Sequence, residues 1–227
     1  EHLPWHEVKL QRYGRDELTP VFTEDSRGPL LAVFQRAIEV IELVNTVESF
    51  LQGMVRVDVP KFPGAAYREA VANALIHRDY EQSGNVAVRV YEDRLEVGSP
   101  GGFFGGVDEN NLLSTESRRR NELLASVMQR IGLAERSALG VRRMYEALLA
   151  EGKGPPEYRS TAASVTLTLR NGAFDRAFAG LIRRLRDDGL ELTVFELLIL
   201  SRLRRGPRLT LAAAATDSLV ITAVVDP

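Results

Sequence analysis

The stretch Arg68-Glu69-Ala70-Val71-Ala72-Asn73-Ala74-Leu75-Ile76-His77-Arg78-Asp79-Tyr80 decides how this chain reads. Pro60, Pro63 and Gly64 break the chain ahead of it, and a helix is expected over about residues 65–78. Residues four apart on a helix lie one above another on the same face. Glu69, Asn73 and His77 therefore form one polar line, while Val71, Leu75 and the alanines can pack the rest of the helix onto a sheet. A carboxylate stacked on a carboxamide suits two jobs. The Glu can take a proton from an attacking water, and the Asn oxygen can hold a Mg²⁺ that bridges phosphates. The same spacing also describes a solvated polar face ending in a cap-region histidine.

Downstream, Val86–Val90 and Leu95–Val97 read as short strands joined at Tyr91-Glu92-Asp93-Arg94, a hairpin pattern. A glycine cluster follows, Ser99-Pro100-Gly101-Gly102-Phe103-Phe104-Gly105-Gly106. Such glycines let backbone approach a ligand and offer N–H groups to an anion, or they simply make a turn-rich loop. The polar run to Arg120 is expected as loop. Its Arg118-Arg119-Arg120 could grip phosphate or DNA, or form a solvated charge cluster. Residues 121–131 and 141–149 predict two helices. Gly140 stands at the start of the second, where helix dipole and free amides favour phosphate. Pro155-Pro156 ends this unit, and Ser164–Leu169 alternates like a strand.

Upstream, Leu30, Leu31, Phe34, Ile38, Ile41 and Val44 mark an amphipathic helix, and Met54–Val59 a half-buried strand. Residues 1–28 show no clear periodicity and read as a linker or the remnant of a preceding domain, with room for a short strand or two. His2 and His6 lack a third ligand nearby, so a metal site there is not expected, and Trp5 reads as an anchor. From Asn171 the character changes. Phe174, Phe178, Leu181, Ile182 and Leu185 form a helical stripe, Val194–Leu203 a core helix, and Leu209–Ala215 a short helix after the Gly206-Pro207 break. Three short helices suggest a partial winged helix-turn-helix over 171–227. That segment holds eight Arg against seven acidic residues, so it is not conspicuously basic.

Composition closes several doors. Cysteine is absent, which removes disulfides, thiolate catalysis and Cys-ligated zinc. No apolar run reaches about 18 residues and no basic-then-apolar leader is present, so a cytoplasmic, non-membrane protein is expected. A net charge of −2 excludes strong whole-molecule attraction to nucleic acid, though not a local patch. Of 29 basic residues only Lys9, Lys61 and Lys153 are lysines, and none stands in a Gly-x-x-x-x-Gly-Lys-Ser/Thr context. A P-loop motor is not encoded.

The run from Arg68-Glu69 through Asn73-Ala74 to His77-Arg78-Asp79-Tyr80 resembles the nucleotide-binding helix of the RecG-related (RecG C-terminal-like) transcriptional regulators. Their ATP-binding domain belongs with gyrase, Hsp90, histidine kinases and MutL, the GHKL or Bergerat type. Asp93-Arg94-Leu95-Glu96-Val97 with Ser99-Pro100-Gly101-Gly102, then Arg120-Asn121, Glu135 and Gly140-Val141, extend the resemblance over about Pro29 to Leu169. It implies that Glu69 activates water and Asn73 is the Mg²⁺ ligand. It places Ser99, Gly101 and Gly102 at the adenine loop, Arg120-Asn121 at the end of the lid, and Gly140 facing the phosphates. His77 shares the helix face. Two positions depart from the wider superfamily: Ser99 stands where an Asp reads the adenine amino group, and Ala138-Leu139-Gly140 where Gly-x-Gly is expected.

The expected fold is α/β (α+β). Residues 29–170 form a two-layer sandwich of the Bergerat type, followed by a small winged-helix-like helical module over 171–227. The expected function is a Mg²⁺-ATP-binding regulatory domain with ATP or ADP as ligand. Weak ATP hydrolysis through Glu69, DNA contact through the C-terminal module and homodimerisation belong to the same expectation. The alternative is a degenerate, non-catalytic scaffold for dimerisation or DNA tethering.

Overall fold

The computed structural model describes residues 7–52, 54–115, 118–134, 139–172 and 174–205. The readings that fall on His2, Trp5, His6, Glu135, Ala138 and the 206–215 segment lie outside these residues. In chain order the elements are β1 (Val8–Tyr13), β2 (Pro20–Ser26), α1 (Leu30–Glu42), β3 (Val47–Gln52), β4 (Val55–Pro60) and α2 (Gly64–His77). Then come β5 (Val86–Val90), β6 (Arg94–Pro100), α3 (Glu122–Arg130), α4 (Gly140–Ala150), β7 (Glu157–Ser160), β8 (Ser164–Arg170), α5 (Arg176–Asp187) and α6 (Val194–Arg205).

Six strands make one mixed sheet in the order β2-β1-β5-β6-β8-β7. Only β1 and β5 run parallel; the other pairings are antiparallel. Side chains alternate across a strand, so one face can be apolar and the other polar. Val8, Leu10, Val86, Val88, Val90, Leu95, Val97, Leu167 and Leu169 bury one face against the helices. Lys9, Gln11, Arg89, Glu96, Thr166 and Thr168 point the other way and stay partly exposed. The result is a two-layer α/β arrangement, helices on one side only.

Helix α1 contributes Phe34, Ala37, Ile38 and Ile41 to this core. Burying Phe34, Ile38 or Ile41 is worth roughly 1.5–3 kcal/mol each. Helix α2 is different, because it is surrounded. Ala66, Tyr67, Ala70, Val71, Ala72, Ala74, Leu75 and Ile76 are all buried, and the alanines let sheet, α1 and α4 approach closely. Glu69, Asn73 and His77 are half-buried, so the polar line faces into the protein rather than across an open surface.

Two stretches differ from the sequence reading. The region before residue 29, read as linker with room for a strand or two, supplies β1 and β2 of this same sheet. Residues 54–59 do form a strand, but β4 pairs only with β3, as a separate two-stranded hairpin between α1 and α2. Behind α4, Leu149, Phe178, Ile182 and Leu197 form a second small core with α5 and α6. Asp175 caps α5 by accepting from the Phe178 N–H at 2.9 Å. Thr193 and Glu196 form a reciprocal capping box at the start of α6. Two of the three lysines hold this frame together. Lys61 donates to the Tyr91 carbonyl at 3.0 Å, and buried Lys153 donates to the Pro60 carbonyl at 2.8 Å and to Glu151.

Candidate functional site

Helix α2, the end of β6, loop residues from 101–115 and 118–119, α3, α4 and strands β7 and β8 enclose a cavity of about 150 Å³. Seven of the residues singled out from sequence line it: Glu69, Asn73, His77, Ser99, Gly101, Gly102 and Gly140. They come from three separate regions of the chain, and the fold brings them together. Arg120 and Asn121 stand at its edge instead.

At one end, Asn73 Nδ2 donates to Glu69 Oε1 at 2.9 Å. That leaves the Asn73 carbonyl oxygen as the atom able to face a cation. The Glu69 carboxylate sits directly against Gly140, the first residue of α4. A methyl group on Gly140 would lie 1.8 Å from Glu69 Oε1, so a larger residue there would push the carboxylate aside. Leu139 precedes the helix and gives it no side-chain cap. A helix start of this kind favours negative charge through its amides and dipole. Carboxylate, carboxamide and helix start thus share one wall.

The other end is closed by the protein's own contacts. Ser99 Oγ donates to the Ala74 carbonyl of α2 at 2.7 Å. Gly101 N–H donates to Ala163 O at 2.8 Å, and Gly102 N–H to Ala162 O at 3.2 Å. Gly101 has φ +91°, and a Cβ there would lie 2.6 Å from Asp79 Cβ. A Cβ on Gly102 would meet the Thr161 carbonyl at 2.5 Å. These glycines admit neighbouring chain. Arg120 Nη1 bonds Asp79 Oδ2 at 3.3 Å, Nη2 bonds Gly102 O at 3.0 Å, and its guanidinium lies over Phe104. Asn121 Nδ2 donates to the Ile76 and Arg78 carbonyls, each at 2.8 Å, closing the open C-terminal end of α2.

Between the two ends lies His77. Burial, reinforced by the charges of Arg119 and Arg120, pushes its imidazole down to about 4, so it is neutral at neutral pH. Over it residues 101–115 form a lid carrying Phe103, Phe104, Val107 and Leu112 into the cavity. Phe103 packs on Tyr158 with ring centroids 6.0 Å apart. The Ser160 N–H donates to Glu109 Oε1 at 2.6 Å, and Arg142 Nη2 to Leu113 O at 2.9 Å. Tyr158 is a lining residue that the sequence reading passed over. Burial, then Tyr145 and Glu69, hold its phenol well above the ordinary tyrosine range, so it remains a neutral donor. On a four-residue strand its alternation looks like any core position.

Among the described residues no three His, Asp or Glu side chains come together to hold a metal. A Mg²⁺ here would take Asn73 from the protein and most of its ligands from phosphate and water, which suits that ion. Among the described residues no helix is long and apolar enough to cross a membrane.

Residues 83–169 match the family model described as "Putative ATP-dependent DNA helicase recG C-terminal", an ATPase-like domain. The matched span covers β5 to β8 with the lid and α4, and stops short of α2. Similarity to this class implies nucleotide binding. The crystal structure of the DIP2311 protein from Corynebacterium diphtheriae has the same fold, with a TM-score of 0.80 and 28% identity. The alignment covers 95% of this chain and 44% of that one, so the chain spans under half the length of that protein. No curated protein matches the sequence.

Proposed function

We propose that the cavity between α2 and α4 binds Mg²⁺-ATP in a GHKL-type manner, and that the chain is the nucleotide-binding part of a RecG-related transcriptional regulator. The observation that carries this reading is the wall formed by Glu69, Asn73 and Gly140. The start of α4 would hold a triphosphate there, and the Asn73 oxygen would hold its metal. In this reading residues 29–170 are the ATP-binding domain, with β1 and β2 completing its sheet. Residues 171–227 are a winged-helix-like module that contacts DNA. These 227 residues hold no P-loop, so in this reading they serve as a nucleotide-dependent regulatory domain rather than as a motor themselves.

Hydrolysis would begin with Glu69 accepting a proton from a water. The water oxygen bonds to the γ-phosphorus, and the bond from that phosphorus to the bridging oxygen breaks, releasing ADP and phosphate. Asn73 would hold the metal, which would supply charge neutralisation on the phosphates. The lid excludes bulk water and the neutral His77 imidazole offers hydrogen bonds without adding charge. Glu69→Ala should retain nucleotide binding and lose turnover in a phosphate-release assay; unchanged turnover would remove Glu69 from this role.

A second reading has its own support. Ser99 spends its proton on Ala74, and the Gly101 and Gly102 amides are already bonded within the protein. A non-catalytic scaffold, serving dimerisation or DNA tethering, would need no free donors at that end. A thermal-shift titration separates the two, since a ligand that binds only the folded chain raises its stability. No shift at millimolar Mg²⁺-ATP favours the scaffold.

A further inference from the structure

Tyr158 is the last member of a row that crosses the sheet. The register sets Leu10 beside Val88, Val88 beside Val97, Val97 beside Leu167 and Leu167 beside Tyr158. Residues paired on neighbouring strands point to the same face, so all five side chains face the helices. The first four are buried and wholly apolar. Tyr158, on the edge strand β7, packs on the same core and lines the cavity, but its ring ends in a hydroxyl. Glu157 and Arg159 on either side of it point the other way and are exposed.

Among the described residues, none hydrogen-bonds that hydroxyl. A buried phenol ordinarily finds a partner, because an unpaired polar group away from water costs free energy. The sheet offers the cavity little else. Among the strand residues that line it, only Ser99 and Tyr158 carry a side-chain donor, and Ser99 gives its proton to Ala74. Among the described residues no lysine lines the cavity. Lys9 pairs with Asp25, and Lys61 and Lys153 donate to the Tyr91 and Pro60 carbonyls.

The electrostatic neighbours of the phenol are Tyr145, on α4, and Glu69. Burial pushes Tyr145 up to about 12, so both phenols keep their protons at neutral pH. An uncharged donor beside a carboxylate can bond an anionic oxygen without competing for the proton that Glu69 would take from water.

We propose that Tyr158 is a ligand-contacting residue whose hydroxyl donates to the terminal phosphate of a nucleoside triphosphate held against the Glu69 wall. The assignment rests on the nucleotide reading and adds to it a donor from the sheet side of the cavity. Its charged neighbour is the group that would activate the attacking water, so the phosphate within its reach is the one that water attacks. A diphosphate lacks that group and gains nothing from the hydroxyl.

Tyr158→Phe removes one oxygen and keeps the ring on Phe103. In calorimetric titration with Mg²⁺, affinity for the β,γ-imido analogue of ATP should fall about 10- to 100-fold, the range of a hydrogen bond to a charged group. Affinity for ADP should not change. Tyr145→Phe, at a position that is not among the residues lining the cavity, should leave both affinities as in wild type. The ligand-free chain gives a separate readout. Because no described residue bonds the hydroxyl, Tyr158→Phe should keep the wild-type midpoint in urea. A lowered midpoint, or a variant that does not fold, would show that the hydroxyl serves the fold and would overturn the assignment. Unchanged affinity for the ATP analogue, or equal losses for the analogue and for ADP, would overturn it too. A wild-type chain that binds neither nucleotide would remove the nucleotide reading and this assignment with it. A wild-type chain that binds both, matched by Tyr158→Phe, would remove the assignment alone.

Discussion

The two ends of the cavity were built by different means. At the α4 end, Glu69, Asn73 and Gly140 meet around a helix start, where Asn73 Nδ2 donates to Glu69 Oε1. At the β6 end, Ser99, Gly101, Gly102, Arg120 and Asn121 are committed to Ala74, Asp79, Thr161, Ala162, Ala163, Ile76 and Arg78. Both ends are glycine-bearing and polar in sequence. The first sets a carboxylate and a carboxamide against a helix start, whereas the second holds the walls in place. Substitutions at the first end should therefore change binding, and at the second end folding.

The largest effect is expected at Gly140. Gly140→Ala places a methyl group where the Glu69 carboxylate now lies. Nucleotide affinity should fall at least about 100-fold, about 2.7 kcal/mol, by calorimetric titration. Wild-type affinity would show that this end is not where ligand binds. Next comes Gly102→Ala, whose Cβ meets a backbone carbonyl at 2.5 Å. It should cost about 2 kcal/mol in urea denaturation, as overpacking does. If the folded fraction binds nucleotide normally, the contrast between the ends is sharpened. Asn121→Ala leaves two carbonyls of α2 without their donor and should cost about 1–2 kcal/mol, again in stability. Ser99→Ala removes one buried hydrogen bond, worth about 1 kcal/mol. A large drop in affinity for Ser99→Ala would break the comparison, because it would make the β6 end a ligand contact.

The smallest effect at neutral pH concerns His77. Its folded pKa lies below the ordinary 6.5, so as pH falls the unfolded chain takes up the proton first. The stability held by the neutral imidazole is complete above about pH 6.5 and is lost progressively toward pH 4. His77→Gln should flatten that acid limb in denaturation curves. An NMR titration of the imidazole near 6.5 instead would mean that the cavity is wetter than the packing shows.

Much of this arrangement was readable from the chain. The four-residue spacing of Glu69, Asn73 and His77 needed only helical geometry, and Pro63 and Gly64 marked where the helix starts. Alternation in Val86–Val90 and Leu95–Val97 gave the central strands. Strands β1 and β2 were harder. Val8 and Leu10 are buried but their neighbours carry no strong pattern, and β2 is an edge strand with Val21 exposed. The hairpin of β3 and β4 was half seen, because its first strand is mostly exposed and so lacks a buried face to betray it. The use made of Gly101 and Gly102 was not legible at all. Their neighbours, Asp79 and Thr161, come from about 20 residues upstream and 60 residues downstream, and a glycine that admits protein looks the same in sequence as one that admits phosphate. Tyr158 was hidden for a similar reason, its partners Phe103 and Glu69 being brought to it only by the fold.

The central claim is that a metal–nucleotide sits at the Glu69–Asn73–Gly140 end, with Asn73 as the protein's hold on the ion. Its most direct test is a calorimetric titration of ATP into the wild-type chain and Asn73→Ala, each with and without Mg²⁺. The account predicts binding by wild type that strengthens with Mg²⁺, and an Asn73→Ala variant in which Mg²⁺ makes no difference. Binding by Asn73→Ala with the full Mg²⁺ dependence, or no binding by the wild-type chain at millimolar nucleotide, would contradict it.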